Sequence, residues 1–272
     1  SDKPVDAITA DDVVDVLKPI WTVIAETAGR VRTRIEAILD AAKAQGHIKA
    51  PWENPARWKG NLEHRLPKRK RLARGHYSAL PYEDMPAFLI ALRDRPAPAA
   101  RALEFTILCA TRTNETLQMR WGEIDLPKRI WTIPAERMKM RVEHRIPLSD
   151  AAMALLNDLL PAKPPSSDQF VFPGQVAGKA LSQMAMTMVM RRMELGHFTV
   201  HGMRSAFRDY MGDMTQHEEN VIEHALAHQV GDSVVRAYRR KDAFDKRRIV
   251  MADWADYLSA KNARSEIYPI AA

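Results

Sequence analysis

Phe105-Thr106-Ile107-Leu108-Cys109-Ala110 runs directly into Thr111-Arg112-Thr113-Asn114-Glu115, so a polar, charged stretch opens where an apolar one stops. The apolar run reads as the end of a buried helix from about Pro98 to Ala110, with a break at Thr111. Arg112 therefore lies just beyond a core helix, with Glu115 one turn further on. That carboxylate either orients Arg112 or a neighbour, or complements the positive N-terminus of a new helix. Cys109 is the only cysteine. Within this run it reads as a reduced core residue, neither half of a disulfide nor a metal ligand, and implies a reducing, cytoplasmic setting.

Upstream, a helix is expected from about Tyr82 to Arg93. Further back, Thr9 to about Leu66 reads as helical, starting with Thr9-Ala10-Asp11-Asp12, a variant capping box, and with Val13, Val16 and Leu17 at helical spacing. Pro19 is expected to end or kink this helix. A longer helix should span Ala25 to Ala44, with Val31, Ile35, Ile38 and Leu39 inward, Arg30, Arg32 and Arg34 outward, and Gly46 as its stop. Downstream, Trp131-Thr132-Ile133-Pro134 and His144-Arg145-Ile146-Pro147-Leu148 read as a β-hairpin, and helices resume at Asp150. Phe244, Met251, Trp254 and Leu258 mark a last amphipathic helix from about Ala243 to Ala260. The expected class is mainly α with a small β-hairpin or sheet (α+β).

A chain of 272 residues with 46% hydrophobic content has room for two domains. Its formal charge of +7 favours a polyanionic partner. Between Arg57 and His76, eight basic residues (Arg57, Lys59, Arg65, Lys68, Arg69, Lys70, Arg71, Arg74) face one acid, Glu63, so this segment carries the whole excess. Pro67, Gly75 and Pro81 mark it as a linker. It is either a solvated connection or a strap whose cations neutralise DNA phosphates and release counterions. Domains are accordingly expected at 1–75, helical and DNA-binding with the basic linker, and at 76–272. No apolar stretch approaches the roughly 20 residues of a membrane span, and the start lacks a signal-peptide layout. Because the first residue is Ser1, a segment N-terminal to this chain is expected in the parent protein.

Five features follow in order along the second domain: Arg112 with Glu115, Lys139 in the hairpin, His201-Gly202-Met203-Arg204, Leu226-Ala227-His228, and Tyr238. Each is common alone. Together they resemble the tyrosine recombinases of the phage-integrase family. Arg34-Ile35-Glu36-Ala37-Ile38-Leu39-Asp40, Glu53-Asn54-Pro55-Ala56-Arg57-Trp58 and Glu136-Arg137-Met138-Lys139-Met140 resemble the satellite-phage and genomic-island type, extending the likeness into the first domain. That type usually carries a further arm-site-binding domain at its N-terminus.

Phosphodiester cleavage suits these residue types. Attack builds charge on the non-bridging oxygens, and two guanidinium forks, Arg112 and Arg204, are the expected stabilisers. His201 and Arg204 are three apart, so a helix would present them on one face, the histidine as phosphate donor or proton shuttle. The resemblance implies that His228 hydrogen-bonds the scissile phosphate. It also implies that Lys139 enters the minor groove and protonates the departing 5′-oxygen. Tyr238 would be the nucleophile, forming a 3′-phosphotyrosyl intermediate and a free 5′-hydroxyl, so that religation needs neither ATP nor another cofactor. Glu115 is assigned structural support. His224 and His228 are four apart, but no glutamate follows His224 and no acidic pair stands ready for magnesium, so no metal is expected.

The implied partners are double-stranded DNA at attachment sites and three further copies of the chain, a monomer in solution becoming a homotetramer on DNA. An excision factor and a host DNA-bending protein fit the same scheme; a membrane does not. DNA contacts are expected from Arg30, Arg34, Arg57, Lys59, Lys68, Arg69, Lys70 and Arg71, the two domains acting as a clamp. The C-terminal helix is expected to pack on a neighbouring protomer. Two rivals are a type IB topoisomerase, with the same attack and residue set, and a non-catalytic DNA-binding factor that kept the fold.

Overall fold

The computed structural model describes residues 3–68, 78–228 and 242–259. Tyr238, Arg69, Lys70 and Arg71 lie outside the described residues. The chain divides into two compact units, Ser1–Gly75 and His76–Ala272. It is mostly helical with one three-stranded antiparallel sheet, the α+β class expected.

In the first unit, α1 (Ala10–Trp21) opens with a full capping box. Asp12 N–H donates to Thr9 Oγ1 at 3.3 Å and Thr9 N–H donates to Asp12 Oδ2 at 2.7 Å. Val13, Leu17 and Trp21 bury at four-residue spacing, while Val16 stays exposed. Pro19 does not stop α1, which runs on to Trp21. Near a C-terminus the missing N–H removes one bond only. The last turn is also secured by Trp21, whose ring stacks on Trp58 at 5.3 Å and whose Nε1 donates to the Pro67 carbonyl at 2.8 Å.

Helix α2 (Ala25–Ala44) ends in a Schellman turn: Gly46 N–H donates to Lys43 O and His47 N–H to Ala42 O, with Gly46 at φ 81°. Two residues face otherwise than their chemistry suggests. Ile38 is 65% exposed, whereas Arg32 turns inward to pair with Glu36 at 2.7 Å and to donate to the Ala56 carbonyl at 2.8 Å. The buried face runs through Ala28, Arg32, Ile35 and Leu39, and Ile38 lies about 100° away from Leu39 on the row of Arg30 and Arg34.

In the second unit, α3 (Met85–Arg93) packs on α4 (Pro98–Leu108), whose residues from Ala102 to Leu108 are all buried. After α5 (Thr113–Leu117) come β1 (Ile124–Asp125), β2 (Ile130–Ile133) and β3 (His144–Pro147), in that order. Trp131 pairs with Ile146 and Thr132 with Arg145. The hairpin thus gains a third strand, β1, too short to carry an alternating pattern. Then follow α6 (Asp150–Leu159), α7 (Ala185–Arg192), α8 (Gly202–Met214), α9 (Glu219–Ala225) and α10 (Phe244–Ser259). At the start of α8 a Cβ on Gly202 would sit 2.4 Å from the Ser78 carbonyl oxygen. Among the described residues no helix is long and apolar enough to cross a membrane.

Helix α10 corrects one expectation. Met251, Trp254 and Leu258 are buried in the core of their own unit, Trp254 Nε1 donates to Ile107 O at 2.9 Å, and Tyr257 OH donates to Tyr82 O at 2.8 Å. The apolar stripe is consumed within the fold and is not left for a neighbouring protomer. Ahead of α10, Asp242 accepts from Arg145 Nη2 at 2.9 Å and from buried Arg247 at 2.6 Å, tying the start of the helix to β3.

Candidate active site

Between α4 and α5 the chain turns through Ala110, at φ 49°, and delivers Arg112 as the residue capping α5. Glu115 is buried and takes both ends of that residue: Oε2 accepts from the Arg112 backbone N–H at 2.8 Å and Oε1 from Arg112 Nη1 at 2.7 Å. Arg137 donates to the Glu115 carbonyl and pairs with Glu123, which also accepts from Trp131 Nε1 at 3.0 Å. The carboxylate thus serves as helix cap and as orienter of the guanidinium, resolving the two sequence readings into one geometry.

Arg204 sits in the first turn of α8 and is 5% exposed. Its Nη1 donates to the Ala110 carbonyl and its Nη2 to Leu226 O at 2.6 Å, while Arg112 Nη2 reaches Ala227 O at 3.4 Å. Burial first, and then the Arg112 charge, lowers the Arg204 guanidinium to about 10, so it remains cationic at neutral pH. The two guanidiniums therefore hold adjacent carbonyls of the turn that leads into His228. Each has further N–H groups to offer, five per guanidinium in all.

His228 stands with Nε2 3.4 Å from Arg204 Nη2 and Nδ1 2.5 Å from Glu223 Oε2. His201 immediately precedes α8; burial, then the Arg204 and Arg112 charges, push its imidazole below the ordinary 6.5. Lys139 is exposed on the β2–β3 connection. Arg112, Lys139 and His201 line one open groove of about 680 Å³, with Glu115 and Gln183 in its walls. Of the six proposed catalytic residues the structure thus gathers five, and the sixth, Tyr238, lies outside the described residues.

Two residues that the sequence did not single out belong to this neighbourhood. His144, first in β3, is held down to about 3 by burial and by Arg247, partly offset by a hydrogen bond with the Ala225 backbone, with Arg112 and Arg204 adding to the depression. Glu223 is the carboxylate behind His228. Neither carries a recognisable spacing signal. In the first unit Arg34, Arg57, Lys59 and Lys68 are exposed, and Arg30 pairs with Glu26. Cys109 is buried and its thiol pKa is pushed up by desolvation. Among the described residues no three His, Cys, Asp or Glu side chains cluster as a metal site.

The second unit is thus mainly helical with a small sheet, and sets two guanidiniums close to two histidines. The phage integrase family model matches residues 79–244, and that of the phage integrase central domain matches residues 1–61. The chain belongs to the phage integrase family. It is 34% identical to the integrase of Enterobacteria phage P4 over 268 residues, covering 89% of this chain and 58% of that protein. It is 36% identical to the prophage integrase IntA of Escherichia coli (strain K12) over 161 residues, covering 58% of this chain and 38% of that one. The chain spans about half the length of these curated relatives. Among solved structures, a lambda integrase dimer bound to a COC′ core site superposes with a TM-score of 0.57 at 18% identity, over 85% of this chain and 82% of that one. The Tn1549 transposon integrase in complex with circular intermediate DNA gives 0.52 at 15% identity, over 88% and 87%. At these identities the likeness is one of fold.

Proposed function

We propose that the chain carries out site-specific DNA recombination, integrating or excising a prophage or genomic island. Tyr238 attacks a backbone phosphorus, the P–O bond to the 5′-oxygen breaks, and a 3′-phosphotyrosyl link forms. Reversal by another strand's 5′-hydroxyl reseals DNA with no external energy. The observation that carries this reading is the placement of Arg204 and Arg112 on the consecutive carbonyls of Leu226 and Ala227, with Arg112 also lining a groove shared by Lys139 and His201. Two fixed forks of positive charge match the developing charge of a phosphorane and need little reorganisation when it forms.

In this scheme Arg112 and Arg204 grip the non-bridging oxygens, Glu115 keeps Arg112 in place, and His228 hydrogen-bonds the phosphate. His201 adds a second imidazole contact. Lys139 delivers a proton to the departing 5′-oxygen, since an alkoxide leaves poorly. Residues 1–75 form a core-site-binding domain, and residues 76–272 the catalytic one. Exposed Arg30, Arg34, Arg57, Lys59 and Lys68, together with Arg69, Lys70 and Arg71, contact DNA phosphates. The working assembly on two attachment sites is a homotetramer that passes through a Holliday junction; an excision factor and a DNA-bending protein set its direction.

The test uses nicked suicide duplexes with a randomised core, from which the short cleaved product diffuses away and leaves protein trapped on DNA. Wild-type protein is expected to form a covalent adduct mapping to Tyr238, and Tyr238→Phe none. Adducts that persist in Tyr238→Phe, or DNA binding with no adduct at all, would overturn the assignment. Adducts formed alongside relaxation of any plasmid by a monomer would place the chemistry with topoisomerases.

A further inference from the structure

We propose that Glu223 is a positioning residue for His228, committing ring Nδ1 to a carboxylate so that Nε2 alone faces the phosphate. This rests on the recombinase reading of the groove. Glu223 Oε2 lies 2.5 Å from His228 Nδ1. Burial works to raise the Glu223 carboxyl, but hydrogen bonds from Arg208 and His228 outweigh it and hold the group below its ordinary value. An ionised carboxylate only accepts, so Nδ1 carries the hydrogen whether the ring is neutral or cationic. In the cationic ring Nε2–H is then the group left to donate to the phosphate. Nε2 is the ring atom 3.4 Å from Arg204 Nη2.

The backbone reinforces the same pairing. Helix α9 ends in a Schellman turn, Ala227 N–H donating to His224 O and His228 N–H to Glu223 O at 3.0 Å. That turn needs a left-handed residue, supplied by Ala227 at φ 51° where glycine would be easier. Arg112 bonds the Ala227 carbonyl and so helps to hold the strained residue. Glu223 thereby fixes both the backbone and the ring of His228. Its own freedom is limited by Arg208, which donates from Nε to Glu223 Oε1 at 2.6 Å and from Nη2 to Glu219 Oε1 at 3.0 Å. Arg208 and Arg204 are four apart on α8, so one helix face supplies the cation behind the carboxylate and the cation in front of the imidazole. With 41% of its side chain exposed, His228 would be free to turn over without this anchor.

Glu223→Gln keeps the shape and loses the obligatory acceptor. Nitrogen NMR of ring-labelled histidine should show wild-type His228, when neutral, with a protonated Nδ1 and a bare Nε2. In Glu223→Gln and in the shorter Glu223→Asp the ring should shift toward the opposite tautomer. Cleavage of the suicide duplex should fall on the order of 10- to 100-fold, as when carboxylates that orient metal-bound histidines are removed. In a His228→Ala background, Glu223→Gln should add no further loss. An unchanged ring spectrum with wild-type cleavage, or an equal loss in the His228→Ala background, overturns the proposal. Absence of any Tyr238 adduct in wild-type protein would instead remove the recombinase reading, and the ring spectrum would still decide whether Glu223 sets the tautomer.

Discussion

His144 makes the stability of the catalytic unit depend on pH in a way that can be worked out from its surroundings. Its imidazole is held from an ordinary 6.5 down to about 3 by burial and the nearby Arg247, Arg112 and Arg204 charges. Between those limits the unfolded chain binds a proton that the folded chain refuses, so stability rises with pH across the window. The contribution is complete above about pH 6.5 and is lost as the pH falls toward 3. From pH 7 to pH 5 the unfolded imidazole goes from mostly neutral to almost wholly protonated. This corresponds to a loss of about 2 kcal/mol from this group alone. His144→Gln keeps an amide to hydrogen-bond the Ala225 backbone and cannot titrate. It should be the less stable protein at pH 7, and the gap to wild type should narrow by about 2 kcal/mol at pH 5. Native-state amide exchange of the β2–β3 ladder measures this for the second unit separately from the first. A gap that stays constant between pH 7 and pH 5 would show that His144 is not shielded as described.

Three further outcomes are expected. Gly202→Ala drives a Cβ to within 2.4 Å of the Ser78 carbonyl and should destabilise the unit by about 2 kcal/mol in urea unfolding. Gly212→Ala, in the same helix with nothing within 4 Å, should be neutral or stabilising by up to about 1 kcal/mol; matching effects at both sites would refute the steric account. Lys139→Ala should slow cleavage of an ordinary phosphodiester far more than of a duplex with a 5′-thiolate leaving group, and equal slowing would remove Lys139 from proton delivery. Covalent adduct formation should persist in EDTA, whereas loss in chelator restored by a divalent ion would point to a metal-dependent nuclease.

Legibility in the sequence followed the physical strength of each signal. Helix α2 could be placed from Ala25 to Ala44 because its apolar residues repeat and Gly46 supplies the left-handed stop; the Thr9 cap was equally local. What failed was the assumption that charge faces out and aliphatics face in. Arg32 finds Glu36 and a carbonyl inside, and Ile38 falls on the wrong side of the helix. Strand β1 was invisible because two residues make no pattern, and Pro19 misled because one lost hydrogen bond near a helix end is cheap. The catalytic candidates stood out by residue type and order. Glu223, His144 and the Arg145–Asp242–Arg247 link did not, since their meaning depends on segments far apart in sequence meeting in space. Helix α10 showed an apolar stripe that fits a partner or a core equally well, and only packing distinguishes them.

Arg204 donates to the carbonyls of Ala110 and Leu226, and Arg112 to that of Ala227. The groups assigned to chemistry are therefore also the rivets of the loops around them, and an alanine at Arg204 is a folding lesion as well as a chemical one. Inactive variants at this position therefore report on catalysis only when their architecture is verified alongside. Natural variation that relocates the reaction would have to rebuild the loops with it.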